Sequence, residues 1–270
     1  MTRKEKIHQN FALKPIKTTL DVFVPILLVY MAFMFFVVNP RWPTEGVDFT
    51  LSVMVALARI AITIICCYFI GIILGENGYK FTFGTKGFFK GLLVASPLFA
   101  VWIFNALYSP INVPLSFDET QVPYLVHIII HELSTGLWEE AFFRGVLMLP
   151  ILLYLSPHWN VSVKERLQLV FVCGALFGLL HFNQGLFGIF TTGIYGLLFS
   201  AAFVYSKNLL VLMLMHFLNN AFFNVRTLLA YADTDAVYNR SGSVYVFIIT
   251  FAVVAIIASV YATKKAKPFK

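Results

Sequence analysis

Apolar runs of about twenty residues recur along this chain, and they leave few folds open to it. A bilayer core of about 30 Å is crossed by about 20 helical residues, and backbone groups in hydrocarbon must find their partners within the protein. Such runs cover residues 19–38, 51–74, 87–107, 121–155, 167–182, 186–205, 209–230 and 244–262. At 59% apolar and 12% charged residues, the chain lies far from the soluble norm of about 45–50% and 25%. The pattern predicts an all-α fold, a polytopic membrane helix bundle of about eight transmembrane helices. It reads as a single integral membrane domain over residues 1–270, with no linker, low-complexity tract or internal repeat.

Loop charges orient the bundle. With the N-terminus inside, the cytoplasmic segments carry Arg3, Lys4, Lys6, Lys14, Lys17, Lys80, Lys86, Lys90, Lys164, Arg166, Lys207, Lys264, Lys265, Lys267 and Lys270. Only Arg41 and Arg240 fall outside, beside Asp118, Glu119, Asp233 and Asp235. That bias puts both termini in the cytoplasm and the protein in the cell membrane. The net charge of +7 is thereby a topology signal, and no nucleic-acid partner is expected. The first run is long and Asn39-Pro40-Arg41 is no small-residue cleavage site, so it reads as a retained span rather than a signal peptide. Cys66, Cys67 and Cys173 lie in apolar runs without metal-site spacing and read as packing residues.

Two runs carry internal breaks. Pro97 predicts a kink in the third. The fourth, residues 121–155, is about 35 residues long and as one helix would measure about 52 Å, so it must tilt, protrude or break. Gly136 is the expected weak point.

Removing the loop charges leaves a short set of polar side chains at membrane depth: Arg59, Glu139, Glu140, Arg144, His181, His216, Asn219, Asn220, Asn224 and Arg226. His127, His131 and Glu132 lie nearer the outer end of the fourth run. Each intramembrane charge costs about 2.5–3.5 kcal/mol even on the lenient insertion scale, so these groups should face one another or a wet interior. At about 100° per residue Glu140 and Arg144, spaced i, i+4, share a helix face and read as a structural ion pair. Glu139 lies about 140° from Arg144 and needs another partner. His216 and Asn220 also share a face, and so do Phe177 and His181. Counted at 1.5 Å per residue from the cytoplasmic helix ends, Glu139 and His181 lie about 24 Å deep, Asn220 about 18 Å and His216 about 12 Å. The four can meet in one site.

Two chemistries suit such a site. A carboxylate beside an imidazole can hold and deprotonate a water, while a second His and an amide stabilise a tetrahedral oxyanion; this amounts to amide hydrolysis without a Ser or Cys nucleophile. Alternatively Glu139 or Glu140, with His181 and His216, could ligate Zn²⁺ and leave a position for water. Residue types alone leave both open.

Glu139-Glu140-x-x-x-Arg144, Phe177-x-x-x-His181 and His216-x-x-x-Asn220, in that order on successive apolar segments, resemble the motifs of the CAAX-protease and bacteriocin-processing (Abi) family, which includes the type II CAAX prenyl endopeptidases. The likeness covers about residues 124–225, within a motif-bearing core at about 121–230, and no position departs from the three motifs. The resemblance implies a glutamate-dependent intramembrane endopeptidase. Glu139 would be the general base assisted by His181, His216 and Asn220 the oxyanion hole, and Glu140 and Arg144 the support of the motif helix. The prenyl-protease relatives are understood to work without a bound metal, so no cofactor is expected. The implied partners are the lipid bilayer and a peptide or membrane-protein substrate: a prenylated C-terminal peptide, a bacteriocin leader or a membrane-anchored regulatory protein. Two readings compete with proteolysis. A non-catalytic scaffold or bacteriocin-immunity protein would use the same polar groups to bind a partner, and a transporter would relay protons through them. The chain lacks the paired interrupted helices that inverted-repeat transporters tend to show.

Overall fold

A computed structural model describes residues 49–76, 84–108, 119–155, 162–231 and 242–266. The run at 19–38, expected as the first span, lies outside the described residues. Among those residues the chain is helical, with no strand. The elements are α1 (Phe49–Glu76), α2 (Phe88–Ala95), α3 (Pro97–Tyr108), α4 (Val122–Glu140), a π-helical segment (Ala141–Met148), α5 (Leu149–Leu155), α6 (Val163–Leu179), α7 (Gly185–Ser206), α8 (Leu209–Tyr231) and α9 (Gly242–Lys265). Among the described residues, four helices are long and apolar enough to cross a membrane: Thr50–Gly75, Gly185–Ser206, Leu209–Arg226 and Val246–Lys265. The expected spans at 87–107, 121–155 and 167–182 are shorter, broken or more polar. The architecture is a polytopic helical membrane bundle.

The break in the third run falls where Pro97 predicts it. Pro97 has no N–H to give, and Ser96 separates α2 from α3, its hydroxyl donating to the Leu93 carbonyl at 2.7 Å. The fourth run behaves differently from the expectation. Gly136 sits inside the regular part of α4, and the irregularity starts at Ala141 and lasts until Met148. At the end of that segment the Leu149 N–H reaches back five residues to the Arg144 carbonyl. Pro150 follows, with no N–H to donate and a ring that crowds the carbonyl four residues earlier, at Val146. Widening the preceding turns accommodates that carbonyl without breaking the helix.

Gly136 serves packing. α4 runs antiparallel to α8, and a β-carbon at Gly136 would lie 2.8 Å from the Phe217 nitrogen and 2.9 Å from the Met213 oxygen. The glycine therefore lets two backbones touch, as small residues do between membrane helices. The same holds between α6 and α7. There a β-carbon on Gly174 would meet the Leu197 backbone at 2.8 Å, and one on Gly178 the Ile189 carbonyl oxygen at 2.4 Å. At the other end of α8, the buried Asn208 accepts from Val211 N–H at 3.1 Å while its amide donates to the carbonyls of Gly84 and Lys86. The loop before α2 is thereby tied to the start of the helix that carries His216 and Asn220.

Gly136→Ala tests the close approach. Alanine favours helix by about 1 kcal/mol over glycine, but its methyl group would strike backbone atoms that no rotamer change can move. A net loss of about 1–3 kcal/mol is expected in thermal unfolding of the detergent-solubilised protein; unchanged or raised stability would show that α4 and α8 can part freely at this level.

Candidate active site

Glu140 is the last residue of α4 before the helix widens, and its side chain is wholly buried. A carboxylate in that setting requires donors. Arg144, one wide turn on, donates from Nη1 to Glu140 Oε1 at 3.1 Å and from Nη2 to the Gly196 carbonyl of α7 at 2.9 Å. The expected i, i+4 ion pair is present. Its guanidinium is also enclosed by aromatic faces, with the Phe177, Phe199 and Phe143 ring centres 4.9, 5.7 and 5.8 Å from its central carbon. These cation–π contacts replace part of the hydration that Arg144 has given up.

The pair is more than an intrahelical brace. His216 of α8 donates from Nδ1 to the same Glu140 oxygen at 2.8 Å. Phe199 stacks on the imidazole at 5.5 Å and Phe177 meets it edge-on at 5.9 Å, which leaves the ring little freedom to turn. With Nδ1 committed, Nε2 points toward the other carboxylate, 3.7 Å from Glu139 Oε2. That separation is longer than a hydrogen bond and short enough for a shared small molecule. Glu139 thus has a partner outside its own helix, as its helical phase predicts. Its Oε2 makes no hydrogen bond to the described residues. The Glu139 side chain is 12% exposed against 0% for Glu140, so only the first can be reached from outside the core.

His181 ends α6. Its Nδ1 donates to the Phe177 carbonyl at 2.8 Å, which leaves Nε2 as an acceptor, and its ring packs 4.8 Å from that of Phe177. Phe177 thus packs on both histidines, meeting the His216 ring edge-on at 5.9 Å. Among the described residues, the imidazole within ion-pair distance of Glu139 is that of His216 and not that of His181. Asn220 lies one turn beyond His216. Its carboxamide accepts from Asn219 at 3.4 Å. The sequence-derived quartet is therefore brought together unevenly. Glu139 and His216 adjoin, His181 and His216 both pack on Phe177, and Asn220 pairs with Asn219 beside a second polar group.

That second group was visible only as a scatter of polar letters. Glu132, Gly136 and Glu140 recur at every fourth residue of α4, and His216, Asn220 and Asn224 at every fourth residue of α8. Because the helices are antiparallel, Glu140 meets His216 at one level and Glu132 meets Asn224 at another, the Asn224 amide donating to Glu132 Oε1 at 2.8 Å. His131 Nδ1 lies 3.0 Å from the same oxygen. Arg59 of α1 donates to Thr135 Oγ1 at 2.9 Å and so ties a third helix to this level. The matching four-residue periods are the signal that could have joined these residues in advance; Trp102, Phe143 and Phe199 gave none.

A zinc site fits poorly. Among the described residues no three His, Cys, Asp or Glu side chains lie together as a metal-holding group, and His216 already uses one nitrogen on Glu140. Glu139, His181 and His216 do not converge as a ligand set.

Comparison with known proteins adds an independent line. Residues 120–222 match the family model described as "Type II CAAX prenyl endopeptidase Rce1-like", a range that contains all three motifs. The chain is also 26% identical over 170 residues to the "Probable CAAX prenyl protease 2" of Schizosaccharomyces pombe (strain 972 / ATCC 24843). That alignment covers 61% of this chain and 58% of the relative, so the likeness spans less than two thirds of the relative's length. No solved structure matches the chain.

Removing one member of the buried pair leaves the other charge stranded. Arg144→Met is expected to cost about 3–5 kcal/mol in thermal unfolding. The double change Glu140→Leu/Arg144→Met should cost less than the sum of its singles, since it strands neither charge. Additive losses would mean that the two side chains do not depend on each other.

Proposed function

We propose that the chain belongs, through residues 120–222, to the Rce1-like family of type II CAAX prenyl endopeptidases and is an intramembrane peptidase that hydrolyses a peptide bond with water activated by Glu139. The observation that carries the mechanism is the Glu139 oxygen, buried, without a hydrogen bond and 3.7 Å from a histidine whose orientation is locked from behind.

A water between Glu139 and the imidazoles gives one proton to the Glu139 carboxylate as its oxygen bonds to the scissile carbonyl carbon. The carbonyl oxygen becomes an oxyanion, stabilised by N–H groups of His216 and Asn220. The protonated Glu139 then passes its proton to the leaving nitrogen as the carbon–nitrogen bond breaks, which restores the carboxylate. Glu140 acts behind the reaction by holding His216 through Nδ1. His181, with Nε2 open as an acceptor, assists in orienting the water. No step requires a metal.

The substrate class suggested by the relative's name is a prenylated C-terminal peptide, presented from the bilayer. We place the protein in the cell membrane, with both termini cytoplasmic, as the basic loops favour. A bacteriocin-immunity role would employ the same peptidase activity, or the same groups as a binding site without it.

Purified protein in proteoliposomes should cleave a farnesylated reporter peptide. Glu139→Ala should lower kcat by at least about 10²–10³-fold while the protein keeps its melting temperature, and His181→Ala should also impair turnover. Cleavage that survives both substitutions would overturn the mechanism. A folded Glu139→Ala protein that still delivers the cellular phenotype would favour the scaffold reading. Activity is expected to persist after chelation in protein shown by elemental analysis to be free of zinc. Loss on chelation, with recovery on adding Zn²⁺, would reinstate the metal reading.

A further inference from the structure

A histidine that donates to an oxyanion has to be aimed as well as near. Its Nε2–H lies in the plane of the ring, and a hydrogen bond weakens steeply once the angle at the hydrogen falls below about 120°. The bond from Nδ1 to Glu140 decides which nitrogen of His216 faces Glu139. It does not by itself set the tilt of the ring, because a hydrogen bond is satisfied over a wide cone of angles. The aromatic residue of the motifs does not set it either: Phe177 meets the imidazole edge-on, with the ring planes 71° apart.

A nearly parallel surface comes from α7, which carries no motif residue. Phe199 stacks on His216 with the ring planes 24° apart and the centres 5.5 Å apart, and it is fully buried. One turn earlier on the same helix, the Gly196 carbonyl accepts from Arg144 Nη2 at 2.9 Å and from Ser200 Oγ at 2.7 Å. Gly196 and Phe199 lie i, i+3 and share a face of α7, so the guanidinium that pins the glycine carbonyl also fixes the ring beside it. The Arg144 central carbon lies 5.7 Å from the Phe199 ring centre. The absent side chain of Gly196 matters as well, since a β-carbon there would stand 2.8 Å from Phe177 Cβ and push α6 away. The contacts close on themselves: Glu140 to His216, His216 to Phe199, Phe199 to Arg144, and Arg144 back to Glu140.

We propose that Phe199 is a positioning residue for the hydrolytic reaction. Glu140 selects the nitrogen of His216, Phe199 sets the plane of its ring, and the two together aim Nε2 at the space beside Glu139. The proposal rests on the peptidase reading. Phe199 acts through His216 and needs no contact with substrate.

The decisive substitution is Phe199→Leu, which removes the flat face and keeps an apolar side chain. Phe203→Leu, one turn further along α7, is the packing control; Phe203 is buried in the same core, and among the described residues no ring contact joins it to His216. With a farnesylated fluorogenic peptide as probe in proteoliposomes, kcat of Phe199→Leu should fall about 5–20-fold while KM changes less than about twofold. Phe203→Leu should keep kcat within about twofold although it opens a comparable void. In a His216→Ala background Phe199→Leu should bring no further loss, since the ring it positions is already gone. An unchanged kcat in Phe199→Leu, an equal loss in Phe203→Leu, a multiplicative loss in the double variant, or a rise in KM with kcat intact would each overturn the assignment.

A readout of the ring itself separates this proposal from the reading it rests on. In protein labelled with ¹³C-histidine and held in nanodiscs, the ring C–H order parameter of His216 should drop in Phe199→Leu and hold in Phe203→Leu, whether or not the wild-type protein cuts the peptide. An order parameter unchanged in Phe199→Leu would show that the stack does not hold the imidazole. A ring that loosens in Phe199→Leu, beside a wild-type protein that leaves the peptide intact, would count against the peptidase reading alone.

Discussion

A carboxylate cut off from solvent inside an apolar bundle is the constraint on which the rest of this molecule depends. An isolated charge at the Glu140 position would be prohibitive, so the fold must bring donors to it, and it brings them from two directions. Arg144 arrives along the helix and reaches on to the Gly196 carbonyl; His216 arrives from α8. The requirement to satisfy one anion thus joins α4, α7 and α8 at a single point. Aromatic rings close around the cation, and the glycines of α4, α6 and α7 let the helices come near enough for these bonds to form. Packing and electrostatics are here one problem with one solution.

The same solution separates two adjacent glutamates by environment. Glu140 is engaged by Arg144 and His216, and its neighbour Glu139 retains an oxygen not engaged in hydrogen bonding among the described residues. Glu139, Glu140 and His216 stand on helices and His181 on the turn after α6, and His216 is oriented by a carboxylate buried behind it. A second polar level built on Glu132 repeats the scheme two turns away, with the Asn224 carboxamide and the His131 imidazole as its partners.

Much of this was legible in the residues themselves. Membrane-length apolar runs, the kink at Pro97 and the i, i+4 match of Glu140 with Arg144 follow from spacing and length; the structure agrees with the last two and, among the described residues, with four of the runs. The phase of Glu139 also pointed away from its own helix toward α8. What spacing alone could not give was contact between helices. Glu140 looked fully answered by Arg144, so its bond to His216 was hidden. The resemblance paired Glu139 with His181, and among the described residues the imidazole within ion-pair distance of Glu139 is that of His216. Gly136 looked like a break because glycine weakens helices; its actual service, admitting the α8 backbone, depends on a neighbour about 80 residues away in the chain. Trp102 could not be distinguished from any other apolar aromatic until its indole N–H met Asn219.

The wide turns between Ala141 and Met148 carry a further consequence. In a π-helical stretch each turn takes up more residues than an α-turn does, so the angular count kept along α4 loses its origin there. A helical wheel drawn on this sequence holds as far as Glu140 and must be started afresh at Leu149. Side chains on the two sides of the segment therefore answer to different neighbours, though no loop divides them. Arg144, inside the stretch, belongs to neither wheel. The helix continues from Val122 to Leu155 while its two halves keep separate accounts of which way is inward.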